Sequence, residues 1–325
     1  MIYILACILA IALTYLVRQL ALKKNIIDNP NERSSHTVPT PRGGGLAIVL
    51  TWFGSLIFLF IQQKIEASLF FALLSGLVLA VVSFLDDIFD LKPIIRILAQ
   101  AFSALGALYF LGGFQLLPDF DNTFVFWILN FLFFIGIIWF INLFNFLDGI
   151  DGYASQEAIM VAAGIVLITG SPFPGVLIAA VAGFLFWNRP KALIFMGDVG
   201  STQLGFVLVV LGLYFHNSGD LNIISWLVLT SLFWFDATFT LYRRWRNTEQ
   251  LSKAHKKHAY QRLTQGGWSH LKVDLWAMGL NLLFVAGVYL TQQHLAYQWV
   301  LLVVVVILLF AVNHRVDRIF PFSKQ

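Results

Sequence analysis

Eleven apolar stretches divide this chain almost from end to end, and most are close to the roughly 20 residues an α-helix needs to cross the hydrocarbon of a bilayer. They run over 2–22, 44–62, 68–85, 94–112, 123–144, 154–170, 174–188, 201–217, 222–242, 271–292 and 297–313. Backbone polar groups in lipid must be satisfied within the structure itself, so successive helices are what such a pattern permits. The seventh stretch is short, set off by Ser171-Pro172-Phe173-Pro174-Gly175 and Asn188-Arg189-Pro190, which makes ten the smaller count. At 59% hydrophobic and 12% charged over 325 residues, the chain is too apolar for a water-exposed domain. The expectation is an all-α, polytopic transmembrane bundle forming one domain over 1–325.

Charge sets the expected orientation. Of 21 Lys and Arg residues, only Lys64 falls in an outer loop if the N-terminus lies outside, and the outer loops then carry Glu66, Asp119, Asp121 and Asp220. The positive-inside rule accordingly predicts an external N-terminus and a cytoplasmic C-terminus. No positive charge precedes residues 2–17, whereas Arg18, Lys23 and Lys24 follow, so the first stretch reads as a retained span rather than a secretory signal. The one cysteine, Cys7, excludes an intramolecular disulfide.

Four polar segments fall at span ends on the predicted inner side: Phe84–Leu91, Asn142–Gly152, Phe195–Ser201 and His255–Leu263. Acids near a bilayer are costly, about 2.5–3.5 kcal/mol at a helix centre, and being solvated at the interface is the plain explanation for them. Asp86 and Asp90 are one turn apart and face one way, while Asp87 points about 100° away. Asn142, Asn145, Asp148 and Asp151 recur every three residues, which would line oxygens along one side of a helical stretch that Gly149 and Gly152 then loosen. Oxygen donors suit a hard cation such as Mg²⁺, which keeps waters and accepts substrate phosphates.

Asp198 opens the eighth span between small residues, where backbone amides are able to meet an anion. Phe195 beside it is either membrane packing or a ring that stacks on a nucleobase. The loop 243–270 gathers Arg243, Arg244, Arg246, Lys253, Lys256, Lys257 and Arg262 around His255 and His258. Such a loop serves either anionic lipid or a pyrophosphate, and the i, i+3 histidines do not have the spacing of the HExxH zinc motif. Arg42-Gly43-Gly44-Gly45 lacks the length and the GK[ST] of a P-loop. It reads as a turn before the second span, with close approach to substrate as the alternative.

Taken in order, HTVPTPRGGG (36–45), LDDIFDL (85–91), NLFNFLDGIDG (142–152), NRPKALIFMGDVGS (188–201) and HKKHAYQRL (255–263) resemble the polyprenyl-phosphate N-acetylhexosamine-1-phosphate transferase superfamily, glycosyltransferase family 4. The resemblance covers most of the chain. It implies Asp86 and Asp87 as the essential acid pair, Asn145 and Asp198 as Mg²⁺ ligands (Mn²⁺ being the alternative ion), and Asp148 and Asp151 as acids lining the nucleotide-sugar site. It further implies that Asn188 and Phe195 contact uracil and that His255 and His258 belong to the catalytic basic loop, with Arg42, Gly43, Gly44 and Arg262 at the substrate. Several branches carry H-x-H-H where this chain has His255-Lys256-Lys257-His258, followed by Ala-Tyr-Gln. That departure leaves the role of each histidine open and looks more like the O-antigen-initiating branch, which uses UDP-N-acetylfucosamine or a related sugar.

The implied reaction joins a UDP-N-acetylhexosamine to undecaprenyl phosphate in a bacterial inner membrane, on its cytoplasmic face, releasing UMP. It involves no nucleic acid and leaves the oligomeric state open, a homodimer included. The competing class is a transporter that relays protons or ions through intramembrane acids and histidines. Such proteins place those groups near the midplane, whereas here only Asp236 lies well inside a predicted span.

Overall fold

Apolar runs broken by glycine, proline and short polar residues give helices joined by tight turns. The computed structural model describes residues 1–30, 35, 38–115, 122–251, 253 and 255–322. Asp119 and Asp121 of one predicted outer loop, and His36 and Thr37 of the first motif, lie outside these.

The described residues form α1 (Ile2–Lys23), α2 (Gly45–Ile61), α3 (Ala67–Leu74), α4 (Gly76–Phe89), α5 (Pro93–Phe110), α6 (Thr123–Asn145), α7 (Tyr153–Thr169), α8 (Gly175–Asn188), α9 (Asp198–Asn217), α10 (Ile223–Leu229), α11 (Ser231–Arg246), α12 (Ala259–Gln265), α13 (His270–Thr291) and α14 (Leu295–Ile319). One small departure from all-α is an antiparallel pair, β1 (Ile27–Asp28) with β2 (Thr40–Pro41), in which Ile27 faces Pro41.

Every predicted stretch contains helix, and the helices differ in length. Seven qualify as spans by length and composition, α3 and α4 counting together, and the bent pair α10 and α11 makes an eighth. The apolar helices α2, α7 and α8 have 17, 17 and 14 residues. At 1.5 Å per residue they reach about 21–26 Å, short of a hydrocarbon core of about 30 Å. The ninth stretch is bent by 76° between α10 and α11. The break falls at Thr230, whose hydroxyl donates back to the Trp226 carbonyl at 2.8 Å, a hydroxyl contact that weakens and bends apolar helices.

Helix α9 runs through the centre, with sixteen of its twenty residues buried. Its first turn meets the start of α2 at glycine: a Cβ on Gly45 would lie 2.4 Å from the Gly200 Cα. The contact is closed by backbone hydrogen bonds. The Gly44 and Gly45 amides donate to the Phe195 and Met196 carbonyls at 2.9 and 2.8 Å, and the Phe195 amide donates to the Pro41 carbonyl at 2.8 Å. Gly44 and Gly45 therefore approach protein backbone, as a turn before α2 requires, whereas a Cβ on Gly43 would meet nothing within 4 Å.

Candidate active site

The four polar segments meet at one end of the bundle, joined by direct contacts. Asp87, in the last turn of α4, turns its carboxylate to the first turn of α9 and accepts from the Asp198 and Val199 amides at 3.1 and 3.2 Å. The anion expected at that helix end is thus the protein's own carboxylate. Gly197 makes this fit: its φ is +76°, and a Cβ there would lie 2.8 Å from Asp87 Oδ2. The Arg42 guanidinium donates to the Asp87 carbonyl at 2.8 Å, tying the glycine tract to the same point.

Asp86 faces elsewhere. It accepts from the Leu91 amide at 2.7 Å and pairs with Arg96 at 3.0 Å, and Arg96 also stands 3.6 Å from Asp198. Asp90 ends α4 in the left-handed region, with φ +50°, and is exposed where Asp86 is buried.

The three-residue period from Asn142 to Asp151 does not persist as one helical face, since α6 stops at Asn145 and the chain turns through 146–152. Asn142 pairs amide to amide with Gln100 across the bundle, at 2.7 and 3.2 Å. Asn145 accepts from the Ser201 hydroxyl of α9. Asp148, half-buried in the turn, is pushed up to about 7 by burial and by the negative charges of Asp198 and Asp87. Asp151 turns to the other side of the loop, accepting from the Lys191 and Ala192 amides at 3.0 and 3.2 Å and lying 3.2 Å from His270 Nδ1. Burial works to raise its pKa, but the hydrogen bond and charge of His270, with the two amides, hold it below the ordinary value.

Two cavities with no lining residue in common result. The smaller, about 440 Å³, brings Asn145, Asp198, Arg96, Lys253, His255 and His258 together. The larger, about 850 Å³, is lined by Phe195, Asp151, Lys191, Arg18 and His270. Asn188 lines neither. It is buried and joins the two loops, accepting from the Gly152 amide at 3.1 Å and donating to the Ile194 carbonyl at 3.0 Å.

The histidine loop is anchored to the bundle. Asp236 of α11 accepts from the Ala259 amide at the start of α12, at 2.9 and 3.1 Å, and Tyr260 donates to the Phe146 carbonyl at 2.7 Å. The acid inside the ninth stretch thus caps a short helix. Burial, then the charge of Arg244, pushes His255 down to about 4, and burial, His255 and the nearby arginines push His258 well below its ordinary value. Both rings are neutral at neutral pH, so fixed positive charge in the smaller cavity comes from Arg96 and Lys253. Arg262, expected at the substrate, is buried and turned away towards Asp317, Asn313 and the Phe320 carbonyl.

Of the residues the sequence reading did not assign, Arg96 carried a signal, as the one charge within the stretch 94–112. Tyr260 lay unassigned inside the last motif. His270 carried no spacing signal at all.

Mg²⁺ fits what the smaller cavity offers. Among the described residues there is no group of three or more His, Cys, Asp or Glu that could enclose a metal. An amide oxygen and a carboxylate, Asn145 and Asp198, nevertheless line one cavity. Mg²⁺ commonly takes one or two carboxylates and completes its shell with water and substrate phosphate.

Residues 69–216 match the profile of glycosyl transferase family 4. The chain is 29% identical, over 82% of its length and 78% of the relative's, to the probable undecaprenyl-phosphate N-acetylglucosaminyl 1-phosphate transferase of Bacillus subtilis (strain 168). It is 27% identical, over 95% and 89%, to the undecaprenyl-phosphate alpha-N-acetylglucosaminyl 1-phosphate transferase of Escherichia coli (strain K12). With the phospho-N-acetylmuramoyl-pentapeptide-transferase of Streptococcus equi subsp. equi (strain 4047) it shares 29% identity over 77% and 86%. Profile, relatives and the ordered motifs agree: the chain is similar to glycosyl transferase family 4 over the residues its profile matches, and to undecaprenyl-phosphate N-acetylglucosaminyl 1-phosphate transferases over most of its length.

Proposed function

We propose that this protein transfers N-acetylhexosamine-1-phosphate from a UDP-sugar to undecaprenyl phosphate, releasing UMP and starting a surface polysaccharide such as an O-antigen. The observation that carries this reading is the smaller cavity, where Asn145 and Asp198 meet two arginine or lysine side chains and both histidines at one end of an apolar bundle. A phosphate oxygen of the lipid forms a bond to the β-phosphorus of the donor. The bond from that phosphorus to the oxygen bridging the two phosphates breaks, and UMP leaves with the electron pair.

Such a transfer asks the protein mainly for positioning and charge neutralisation. Asn145 and Asp198 would hold Mg²⁺, which when bound neutralises phosphate charge. Arg96 and Lys253 line the same space and offset the remainder. Neutral His255 and His258 each have one N–H to donate to a phosphate oxygen. Asp87 keeps the first turn of α9, and with it Asp198, in place. A phosphate's second pKa of about 6 leaves the acceptor largely ionised, so no carboxylate is needed to deprotonate it. In the larger cavity, Phe195 offers a ring to the uracil and Asp151 an oxygen to the nucleotide-sugar.

The distribution of lysine and arginine supports a cytoplasmic site in a bacterial inner membrane. A cysteine at Asp220 in a Cys7→Ala background should react with an impermeant thiol reagent on intact cells, and one at Lys253 should not. The function itself is tested by giving the purified protein undecaprenyl phosphate, Mg²⁺ and a panel of UDP-N-acetylhexosamines, UDP-N-acetylglucosamine and UDP-N-acetylfucosamine among them. UMP release together with label in extractable lipid is expected with at least one donor. Uptake of the intact donor into vesicles without lipid labelling would point to transport instead.

A further inference from the structure

Three of the basic side chains that flank and separate the histidines, Arg243, Lys257 and Arg262, converge on the end of α14 and Phe322. Arg243, at the end of α11, grips Asp317 of α14 through both terminal nitrogens, at 3.0 and 3.1 Å. Arg262 of α12 is fully buried and bonds the same carboxylate, the Asn313 side chain at 3.3 Å and the Phe320 carbonyl at 3.2 Å. Phe322, just beyond α14 and itself buried, presents its ring to three cations. The Arg243 guanidinium carbon lies 3.9 Å from its centroid, Lys257 Nζ 5.2 Å and the Arg262 guanidinium carbon 5.4 Å.

These cations come before, between and after the two histidines. Lys257 is further held by Glu249 at 2.8 Å, and the same carboxylate takes Arg244 at 3.2 Å. Arg244 in turn donates to the carbonyls of Leu251, Gln250 and Lys253, shaping the chain that leads into His255. His258 is the N-cap of α12. Its location in the cavity therefore follows that of α12, and α12 is fixed from one side by Asp236 and from the other by α14 through Arg262.

We infer that Asp317 and Phe322 are positioning residues for the transfer: the C-terminal end of α14 clasps the basic loop and so places His255 and His258 at the phosphates. This rests on the transferase reading for its consequence in rate. Two observations argue that the clasp serves geometry rather than substrate charge. The carboxylate of Asp317 and the ring of Phe322 line neither cavity. They also engage Arg243 and Arg262, so two of the loop's charges are committed away from the phosphates. A buried arginine left without its carboxylate would have to move or draw in water, and α12 would move with it.

The test compares Asp317→Asn, Asp317→Glu and Phe322→Ala in the purified full chain. UMP release at saturating lipid should show kcat lower by about tenfold to a hundredfold in the Asn and Ala variants, the scale of a misplacement near 1 Å. The donor KM should stay within about threefold, because the larger cavity is not touched. Asp317→Glu should regain most of the rate. Hydrogen exchange should quicken at the amides of Ala259–Gln265 while those of α9 stay protected. Faster exchange in α12 with an unchanged kcat would overturn the inference, and so would kcat and KM failing together with protection lost throughout. If Asp317→Asn does not fold, Phe322→Ala decides, since it removes the ring and leaves the ion pair. The exchange readout needs no turnover, so a chain that proved inactive with every donor would refute the transferase reading and still show whether α14 holds α12.

Discussion

Gly45→Ala is the sharpest perturbation of the frame that holds Asp198. The new Cβ would sit 2.4 Å from the Gly200 Cα, 2.5 Å from its nitrogen and 2.9 Å from the Met196 carbonyl oxygen. All three are backbone atoms, so no side chain can rotate out of the way. Ordinary contact begins at 3.4 Å, and the starts of α2 and α9 must part by about 1 Å to reach it. The Gly45 to Met196 hydrogen bond, now 2.8 Å, would then stretch to about 3.8 Å and cease to be one. Overpacking of this kind costs about 1–3 kcal/mol of stability. The movement acts two residues from Asp198, where a shift near 1 Å is expected to lower kcat by about a hundredfold. Gly54→Ala on the same helix is the control, because its Cβ would meet nothing within 4 Å. Both variants would be purified in detergent and assayed for UMP release and melting temperature. A Gly45→Ala protein with kcat within about threefold of the parent would show that the α2–α9 contact does not set the Asp198 end of the site.

Phe195→Ala should weaken the apparent affinity for the UDP-sugar by roughly 5- to 150-fold, the equivalent of about 1–3 kcal/mol of stacking, and leave that for undecaprenyl phosphate unchanged; unaltered donor kinetics would make the ring a packing group. Activity should require Mg²⁺ or Mn²⁺, and Asp198→Asn should lose most of it while still inserting in the membrane; full activity in EDTA would refute the assignment. His255 is held near 4 by burial and Arg244, against an ordinary 6.5, so the unfolded chain takes up a proton between those values that the folded one refuses. Melting temperature should therefore fall as pH drops from 6.5 towards 4, and His255→Gln should flatten that slope.

Helix class and the grouping of polar segments at one end were legible in the sequence because both follow from apolar length and charge placement. The number of full spans was less so. Apolarity marks α2, α7 and α8 as buried in something but does not separate lipid from neighbouring helices, and it carries no signal for the bend at Thr230. At the site, the sequence pointed to Asp86, Asp87, Asn145 and Asp198 as neighbours at one end of the bundle, and their partners were not readable. A three-residue spacing cannot reveal that α6 ends at Asn145 and sends Asp151 to a different cavity from Asp198. Arg262 shows the limit most clearly: a basic residue in a basic loop looks like a phosphate ligand until its buried partners on α14, some 50 residues later, are seen.

The carboxylate of Asp87 is bound to α9 much as a small anion from solution would be. Its two oxygens rest on the Asp198 and Val199 amides, and Gly197 keeps both amides turned outward. Truncation to alanine at position 87 would leave that cradle intact and remove only its occupant. The defect should then be one that chemistry supplied from the buffer can repair: formate, small and carrying the same charge, should restore part of the rate in Asp87→Ala with saturable kinetics, while chloride at equal ionic strength should not.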